Sequence, residues 1–265
     1  QLCDILGVPL SYIRRCLESN RANLAVSNLN SWRNCVPETK NMLLRKTDNR
    51  ITGILSNRYS IFDDNEVLNV VEDIIGSSHD YSVKNYFISE ELMKARFVSR
   101  EKININGEDL SFGFDVNNSR VGRSSLNVKL LIFKWACSNG MLFGASTGEM
   151  FMKRHVGIGK FDFVSSFAEI IDTIPDSVEF IKNAINQKQG VKLTSEITQN
   201  LIDKFKANRL PVAVIPQITD LSPKYGDNVW GFANAITEIA QGYSIETREK
   251  MELFAGSIIA SKVAV

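Results

Sequence analysis

The sequence lacks a continuous apolar run near the roughly 18 residues that a membrane-spanning helix needs. It also lacks an amino-terminal export signal, so we expect no membrane association and a cytoplasmic location in a bacterial host. No internal repeat or low-complexity stretch interrupts its 265 residues, of which 44% are hydrophobic and 23% charged. That composition, with a net charge of +1, is typical of a globular protein and excludes collagen-like, coiled-coil and disordered classes.

Cysteine and histidine are scarce, with four and two residues respectively. The cysteines Cys3, Cys16, Cys35 and Cys137 show no CxxC spacing, which argues against a zinc knuckle or a thioredoxin-like pair. We therefore predict buried free thiols in a reducing compartment. Because the sequence opens on Gln1 and not on Met, we also expect it to begin inside a longer polypeptide.

Enzyme signatures are missing too, because the sequence contains no GxxxxGK[ST] phosphate loop, no GxSxG elbow and no HExxH motif. The stretch His155–Lys160 resembles a phosphate loop only in its glycines. Asp63, Asp64, Glu66 and His79 are candidate ligands of a divalent cation, but Asp63 followed by Glu66 is also a capping box. We predict no catalytic residue, no metal site and no cofactor, and keep as a third hypothesis a nuclease or nucleotide-processing enzyme that uses these four residues around a metal ion.

Apolar periodicity predicts an α+β fold whose central antiparallel sheet, built with hairpins, is flanked by an N-terminal helical hairpin and a C-terminal helical region. Helical spacing on both sides of Gly7–Pro9 predicts the N-terminal hairpin. The same hairpin fits a helix-turn-helix that would place Arg14 and Arg15 on DNA. Core packing is the default interpretation of such a short helical pair.

The middle of the chain alternates between strand and helix patterns. Residues 41–60 predict a β-hairpin, and a helix then follows the capping box to about Gly76. Residues 81–143 predict three or four antiparallel strands, with turns at Asn106–Gly107 and around 117–122.

From Gly159 onward the periodicity is helical. The exception is residues 208–227, a proline-containing connection that we expect to be a boundary or a lid. We divide the chain into a mixed α+β core over residues 1–160 and a mainly helical region over 161–265 packed on it. One continuous domain is the alternative.

Positive charge is concentrated in residues 112–160. Seven Lys or Arg residues stand there against two acidic ones, a local net charge of +5 in a chain whose total is +1. The aromatic residues interleaved with this charge are Phe112, Phe114, Phe133 and Trp135. Cations that pair with phosphates, beside rings that stack on bases, are typical of a single-stranded nucleic-acid groove. Core aromatics beneath an ordinary solvated face would give the same pattern.

We predict that phosphate contacts come from this basic segment. The turn 118–125 is the strongest candidate, because its glycine, hydroxyls and two arginines would surround a phosphate with hydrogen-bond donors. The predicted nucleic-acid-binding residues are Arg120, Arg123, Ser124, Lys129, Lys134, Lys153 and Arg154.

Several stretches of the sequence are similar to the phage/plasmid-like protein family known as domain of unknown function 932. They are Leu6–Pro9 with Tyr12–Arg15, Leu55–Tyr59, Gly122–Ser124 leading to Cys137–Gly140, and Asn234–Thr237 with Arg248 and Ala255–Gly256. The region around His155 shares the resemblance, whereas Lys134–Ala136 departs from an Arg-containing run of the family.

The resemblance implies a phage, prophage or plasmid origin, among replication and recombination genes. The predicted hairpin, helix and antiparallel strands are also compatible, by analogy of fold, with the β-sheet-plus-helix core of Rad52-like and Redβ-like single-strand annealing proteins. Our leading hypothesis is a non-enzymatic protein that binds and anneals single-stranded DNA as a homo-oligomeric ring or filament. The alternative is a phage structural or protein-interaction protein, such as a host-defence antagonist, that buries the helices Phe163–Ile174 and Met251–Ile259 against partner chains.

Overall fold

The computed structural model describes residues 2–35, 42–76, 80–136, 138–143, 150–157 and 159–261. The helices are α1 (Leu2–Leu6), α2 (Leu10–Glu18), α3 (Ala22–Arg33), α4 (Asp64–Ile75), α5 (Lys160–Gly190), α6 (Ser195–Ala207), α7 (Ile215–Tyr225), α8 (Val229–Ala240) and α9 (Ile245–Ala260). The strands are β1 (Met42–Thr47), β2 (Arg50–Ser56), β3 (Tyr81–Ile88), β4 (Met93–Ser99), β5 (Ile103–Ile105), β6 (Glu108–Asn118), β7 (Leu126–Lys134), β8 (Asn139–Phe143) and β9 (Met150–Lys153). Helices beside an antiparallel sheet confirm the predicted α+β class. None of the described helices combines the length and the apolarity needed to cross a membrane.

The N-terminal helices pack on one another around a small apolar core of their own. Its buried residues are Leu6, Val8, Ile13, Cys16 and Ala25. The predicted helical hairpin is present, since α1 and α2 flank the turn at Gly7–Pro9. Helix α3 is an addition to the prediction, because its Asn and Ser residues interrupt any apolar stripe.

The cysteines only partly follow the prediction of buried thiols. Cys16 is buried, Cys3 is half-buried and Cys35 is exposed, all three as free thiols. Cys137 lies outside the described residues. The exposed position of Cys35 just after α3 corrects the expectation for that residue.

Strands β1 and β2 form the predicted hairpin as a separate two-stranded sheet. Asp48 and Asn49 close its turn with positive φ angles. Helix α4 follows, and the backbone N–H of Asp63 donates to Glu66 Oε2 at 3.0 Å as part of the predicted capping box. Such a cap stabilises a helix by about 1 kcal/mol, and it accounts for the acidic run at this position.

The main sheet has the strand order β3–β4–β6–β7–β8, with antiparallel pairing throughout. Strand β5 pairs with β6 through the predicted Asn106–Gly107 turn. Strands β8 and β9 share the far edge of β7, because β8 pairs with Leu130–Lys134 and β9 with Leu126–Lys129. This shared edge places the end of β9 next to the loop that precedes β7.

One face of the main sheet packs on helices to form the principal apolar core. Phe114 of β6, for example, packs edge-on against Phe167 of α5, with ring centroids 5.2 Å apart. The core extends from Phe62 to Ile259 and therefore includes residues on both sides of the predicted division after residue 160. Burial of this apolar surface, at roughly 25 cal/mol per Å², is the main stabilising contribution.

The opposite face of the sheet has polar rows beside a small apolar cluster of Val98, Leu131, Phe133 and Leu142. Arg96, Asp115 and Lys129 form one row across β4, β6 and β7, because these residues pair in register. The neighbouring row is Lys94, Asn117 and Asn127. Helix α9 covers both rows and contributes Glu249 and Glu252 as partners for their cations. The charged residues on this side of the sheet are therefore mostly internal.

The connection over residues 208–227 is not the irregular boundary or lid that the sequence predicts. A 3₁₀ turn at Val212–Val214 leads into α7, where Ile218 is buried. Pro216 lies in the first turn of α7, where a helix needs no N–H donor, and Pro223 lies near its end. The prolines mark the limits of a packed helix.

Candidate nucleic-acid interface

The loop between β6 and β7, residues 119–125, contains the predicted phosphate-binding turn. The Ser119 hydroxyl accepts from the backbone N–H of Arg123 at 2.9 Å and donates to the carbonyl of Glu91 at 2.7 Å. Gly122 has a φ of 72°, in the left-handed region that favours glycine. The conformation of the loop is thus stabilised by Ser119 and Gly122 within it and by the Glu91 carbonyl outside it.

Two other segments lie against this loop. Lys153 at the end of β9 pairs with Leu126, the first residue of β7, and this brings the residues after β9 to the loop. The segment after β2 joins them through an isolated bridge between Tyr59 and Val156. The three segments are distant in sequence and meet only in the folded chain.

Together these segments line a cleft of about 470 Å³, called the loop cleft below. Its polar lining residues include Ser56, Tyr59, Arg123, Ser124, Ser125 and Arg154. The volume is within the range of small-ligand sites. Because guanidinium and hydroxyl groups are good donors to phosphate oxygens, the loop cleft is suited to an anionic group.

The two arginines of the loop cleft differ in their surroundings. Arg123 is half exposed and pairs with Glu91 and with Glu246, the latter at 2.7 Å. Exposed ion pairs contribute only about 0–1 kcal/mol, so Arg123 can exchange a carboxylate for a phosphate at little cost. Arg154 and Lys153 are exposed and make no ion pair within the described part of the chain.

Ser124 contributes an unpaired group to the same loop. Its hydroxyl oxygen is buried and has no hydrogen-bond partner among the described residues. Buried polar atoms are normally hydrogen-bonded, so an unpaired hydroxyl beside a cleft is available to a ligand. Of the predicted residues, the structure brings Arg123, Ser124 and Arg154 together here.

Tyr59 and His155 belong to the wall of the loop cleft. Their rings stack with centroids 4.9 Å apart, and the Tyr59 hydroxyl donates to the carbonyl of Ser119 at 2.5 Å. Burial raises the pKa of Tyr59 to about 12 and lowers the pKa of His155 below its usual value. Both rings are neutral near pH 7, so the positive charge of the cleft comes from its arginines.

Lys129 and Lys134 are not at this cleft, and the prediction that they contact phosphate is corrected. Their side chains are 7% and 9% exposed. Lys129 pairs with Glu249, and Lys134 Nζ is 2.9 Å from a carboxylate oxygen of Glu108. The sequence could not indicate these partners, because they lie on other elements. Opening such desolvated pairs costs several kcal/mol, so their charge is not available to a ligand.

Arg120 anchors the loop to the rest of the fold. Its Nε lies 3.0 Å from Oδ2 of Asp64, and its Nη2 donates to the carbonyl of Ser89 at 2.8 Å. Asn118 donates to the other oxygen of Asp64 at 2.8 Å. Burial raises the pKa of Asp64, although Asn118 and Arg120 both oppose that shift. Arg120 is therefore a positioning residue for the loop and not an open phosphate contact.

The rings predicted to stack on bases are not beside the loop cleft. The buried ones are Phe112, Phe114 and Phe133. Trp135 is half-buried, and the ammonium groups of Lys84 and Lys102 lie 4.0 and 4.9 Å from its ring. It follows the far end of β7, roughly 26 Å from the loop by the rise per residue of a strand. The prediction that these four rings stack on bases is therefore wrong for the loop cleft.

The acidic residues that the sequence offered as metal ligands are used elsewhere. Asp63 pairs with Arg45, and Asp64 pairs with Arg120. Within the described ranges, no group of three or more His, Cys, Asp or Glu side chains is placed to hold a metal ion. His79 lies outside those ranges.

The sequence interpretation missed Ser56, Tyr59 and His155 as parts of one site. The family resemblance could have indicated these residues. The stretches that carry it include Leu55–Tyr59, Gly122–Ser124 and the region around His155. The structure shows that these stretches converge on the loop cleft.

The family model described as "Domain of unknown function (DUF932)" matches residues 52–253. The chain belongs to this family. The matched part of the DUF932 chain runs from within β2 to within α9, so it includes the whole loop cleft and excludes α1–α3. No curated protein and no solved structure matches the chain.

Proposed function

We propose that this DUF932 chain binds single-stranded DNA through the loop cleft, without catalysing a reaction. The proposal is carried by the convergence of Arg123, Ser124 and Arg154 on one cleft from two separate segments. Arginine donates to phosphate through two parallel N–H groups, and serine adds a further donor. Because these contacts are made to the backbone, we expect little sequence preference.

Exposed groups that lie close in the sequence to residues of the loop cleft favour a single strand as the ligand. Arg58 and Lys153 are exposed and have no ion pair among the described residues, which extends the positive surface beyond Arg154. Phe161, in the first turn of α5, is 81% exposed, and α5 contacts β9. An exposed ring can stack on an unpaired base, a contact that contributes about 1–3 kcal/mol.

The test is fluorescence anisotropy with a labelled 30-nucleotide strand at low salt. We expect Arg123→Ala/Arg154→Ala to weaken binding at least about tenfold, since two phosphate contacts are removed. The matched control is Lys204→Ala/Lys206→Ala, which removes the same charge from the exposed face of α6 and leaves affinity nearly unchanged. An equal loss of affinity in both variants would show that net charge alone causes the effect and would contradict a specific site. Unchanged binding in the cleft variant would also contradict the proposal.

Annealing, a phage or plasmid origin and a ring or filament of identical chains follow from the resemblance and stay predictions. For the oligomer we propose β3 as the contact, because it is an edge of the main sheet among the strands that the structure describes. Tyr86, Phe87 and Ile88 are exposed on this strand, and an unpaired edge of this kind accepts a strand from another chain. We expect Ile88→Lys to lower the molar mass measured by light scattering; a wild-type monomer would contradict the oligomer.

Under the protein-interaction alternative, the partner would need a surface other than the two helices that the sequence predicts for it. Phe163 and Phe167 of α5 and Met251 and Ile259 of α9 are all fully buried, at 0% exposure, within the core of the chain itself. These helices cannot also bury the same side chains against a partner. The edge of β3 is a surface that is open to a partner under this alternative, which predicts a defined complex that ignores DNA.

A further inference from the structure

The three N-terminal helices form a unit that the proposed function leaves unexplained. They bury their own apolar core and lie outside the matched residues 52–253. Helix α3 braces α2 because its Asn28 donates to the Tyr12 hydroxyl, and the turn between them is closed by the backbone N–H of Arg21, which donates to the carbonyl of Cys16 at 2.7 Å. Helix α2 is thus held in one orientation on this support.

The connection between α1 and α2 has the length of a helix-turn-helix turn. It consists of Gly7, Val8 and Pro9. Gly7 has a φ of 67°, and the N–H of Val8 donates to the carbonyl of Cys3 at 2.9 Å, which ends α1 sharply. Val8 is buried, and Pro9 precedes the first turn of α2. A three-residue turn that contains glycine is the connection that helix-turn-helix units use.

The exposed surface of α2 carries two arginines together with the apolar side chains of Leu10 and Leu17. Ser11, Arg14, Arg15 and Glu18 are exposed on it, and neither arginine makes an ion pair within the described part of the chain. This contrasts with Lys129 and its neighbours under α9, whose charge is neutralised internally. Over residues 2–35, four arginines stand against only two acidic residues.

We propose that residues 2–35 are a helix-turn-helix unit that binds double-stranded DNA, with α2 in the major groove. A helix with its side chains is about 10–12 Å across, which suits a groove about 12 Å wide, and the nine residues of α2 would lie along about 13 Å of that groove. Arg14 and Arg15 lie on the exposed face and contact phosphates or guanine edges, with Ser11 one turn earlier. This duplex site is separate from the loop cleft.

The experiment uses the full chain and a labelled 30-base-pair duplex of arbitrary sequence, with the corresponding single strand in parallel. We expect Arg14→Ala/Arg15→Ala to weaken duplex binding at least about tenfold and to lower the salt slope by about 2, roughly 0.9 for each phosphate contact. Both side chains are exposed, so circular dichroism should show an unchanged fold. The control is again Lys204→Ala/Lys206→Ala, which should keep duplex binding.

The outcomes separate this proposal from the single-strand site. Duplex binding lost in Arg14→Ala/Arg15→Ala but kept in Arg123→Ala/Arg154→Ala supports two sites. Duplex binding that ignores the change at Arg14 and Arg15, or that falls equally in the control, overturns the helix-turn-helix assignment whatever the single-strand result. A chain that ignores the duplex but self-associates until Trp32→Ala is introduced also overturns it, and assigns this exposed face to a second copy.

Discussion

Arg96 in β4 and Glu252 in α9 form a buried two-point ion pair, with Nη2 2.7 Å from Oε2 and Nη1 3.2 Å from Oε1. Asp115 accepts from the Nε of the same guanidinium at 3.2 Å, and Arg248 donates to Glu252 at 2.9 Å. The Glu252 side chain is 0% exposed. The buried cations of the polar rows therefore have their full set of carboxylate partners only when α9 is in place.

We predict that Glu252→Gln destabilises the fold by about 3–5 kcal/mol, because Arg96 and Arg248 lose the carboxylate they share and Asp115 alone remains beside the buried guanidinium. The measurement is urea unfolding followed by circular dichroism. The matched control is Glu179→Gln, which removes the carboxylate of an exposed pair with Lys182 and should cost less than about 1 kcal/mol. Equal, small losses in the two variants would contradict the importance of the buried pair.

Glu249 is shared by two ammonium groups, Lys94 and Lys129. Burial alone would raise the pKa of Glu249, but the two lysines outweigh it and lower the pKa. Glu249→Gln would leave two buried cations together, and we predict a loss of about 3–5 kcal/mol. Lys129→Met leaves the pair of Lys94 and Glu249 intact and should cost only about 1 kcal/mol. The reverse order in urea unfolding would show that the cluster is arranged differently.

Much of the fold was predictable because its signals are local. Alternation predicted the hairpin of β1 and β2, and the pair Asp63 and Glu66 predicted the start of α4. The Asn106–Gly107 turn predicted the pairing of β5 with β6. Each of these signals lies within a few residues of the structure it specifies.

The site was harder to predict because its determinants are distant in sequence. Lys129 looked like an open cation, but its carboxylate partner is 120 residues away in α9. Arg154 joins Arg123 only because β9 pairs with the first half of β7, an arrangement that no local pattern indicates. Helix α7 was hidden for a different reason, since its two prolines are typical of an irregular connection.

His155 gives the loop cleft a pH-dependent stability. Burial lowers its pKa, so the folded protein holds the neutral ring while the unfolded chain takes up a proton below about pH 6.5. The contribution of His155 is therefore complete above that pH and is lost as the pH falls. We predict that His155→Phe, which keeps a ring against Tyr59, flattens the dependence of the free energy of unfolding on pH between 8 and 5.5. The same slope in wild type and variant would show that other groups cause it.

The loop cleft is tested most directly by the salt dependence of single-strand binding in wild type and Arg154→Ala. Arg154 is exposed and without an ion pair in the described residues, so its replacement removes a ligand contact and no internal one. We predict weaker binding and a plot of log Kobs against log salt that is shallower by about 0.7, the value for one phosphate contact with a single strand. Unchanged affinity with parallel salt plots would contradict the account.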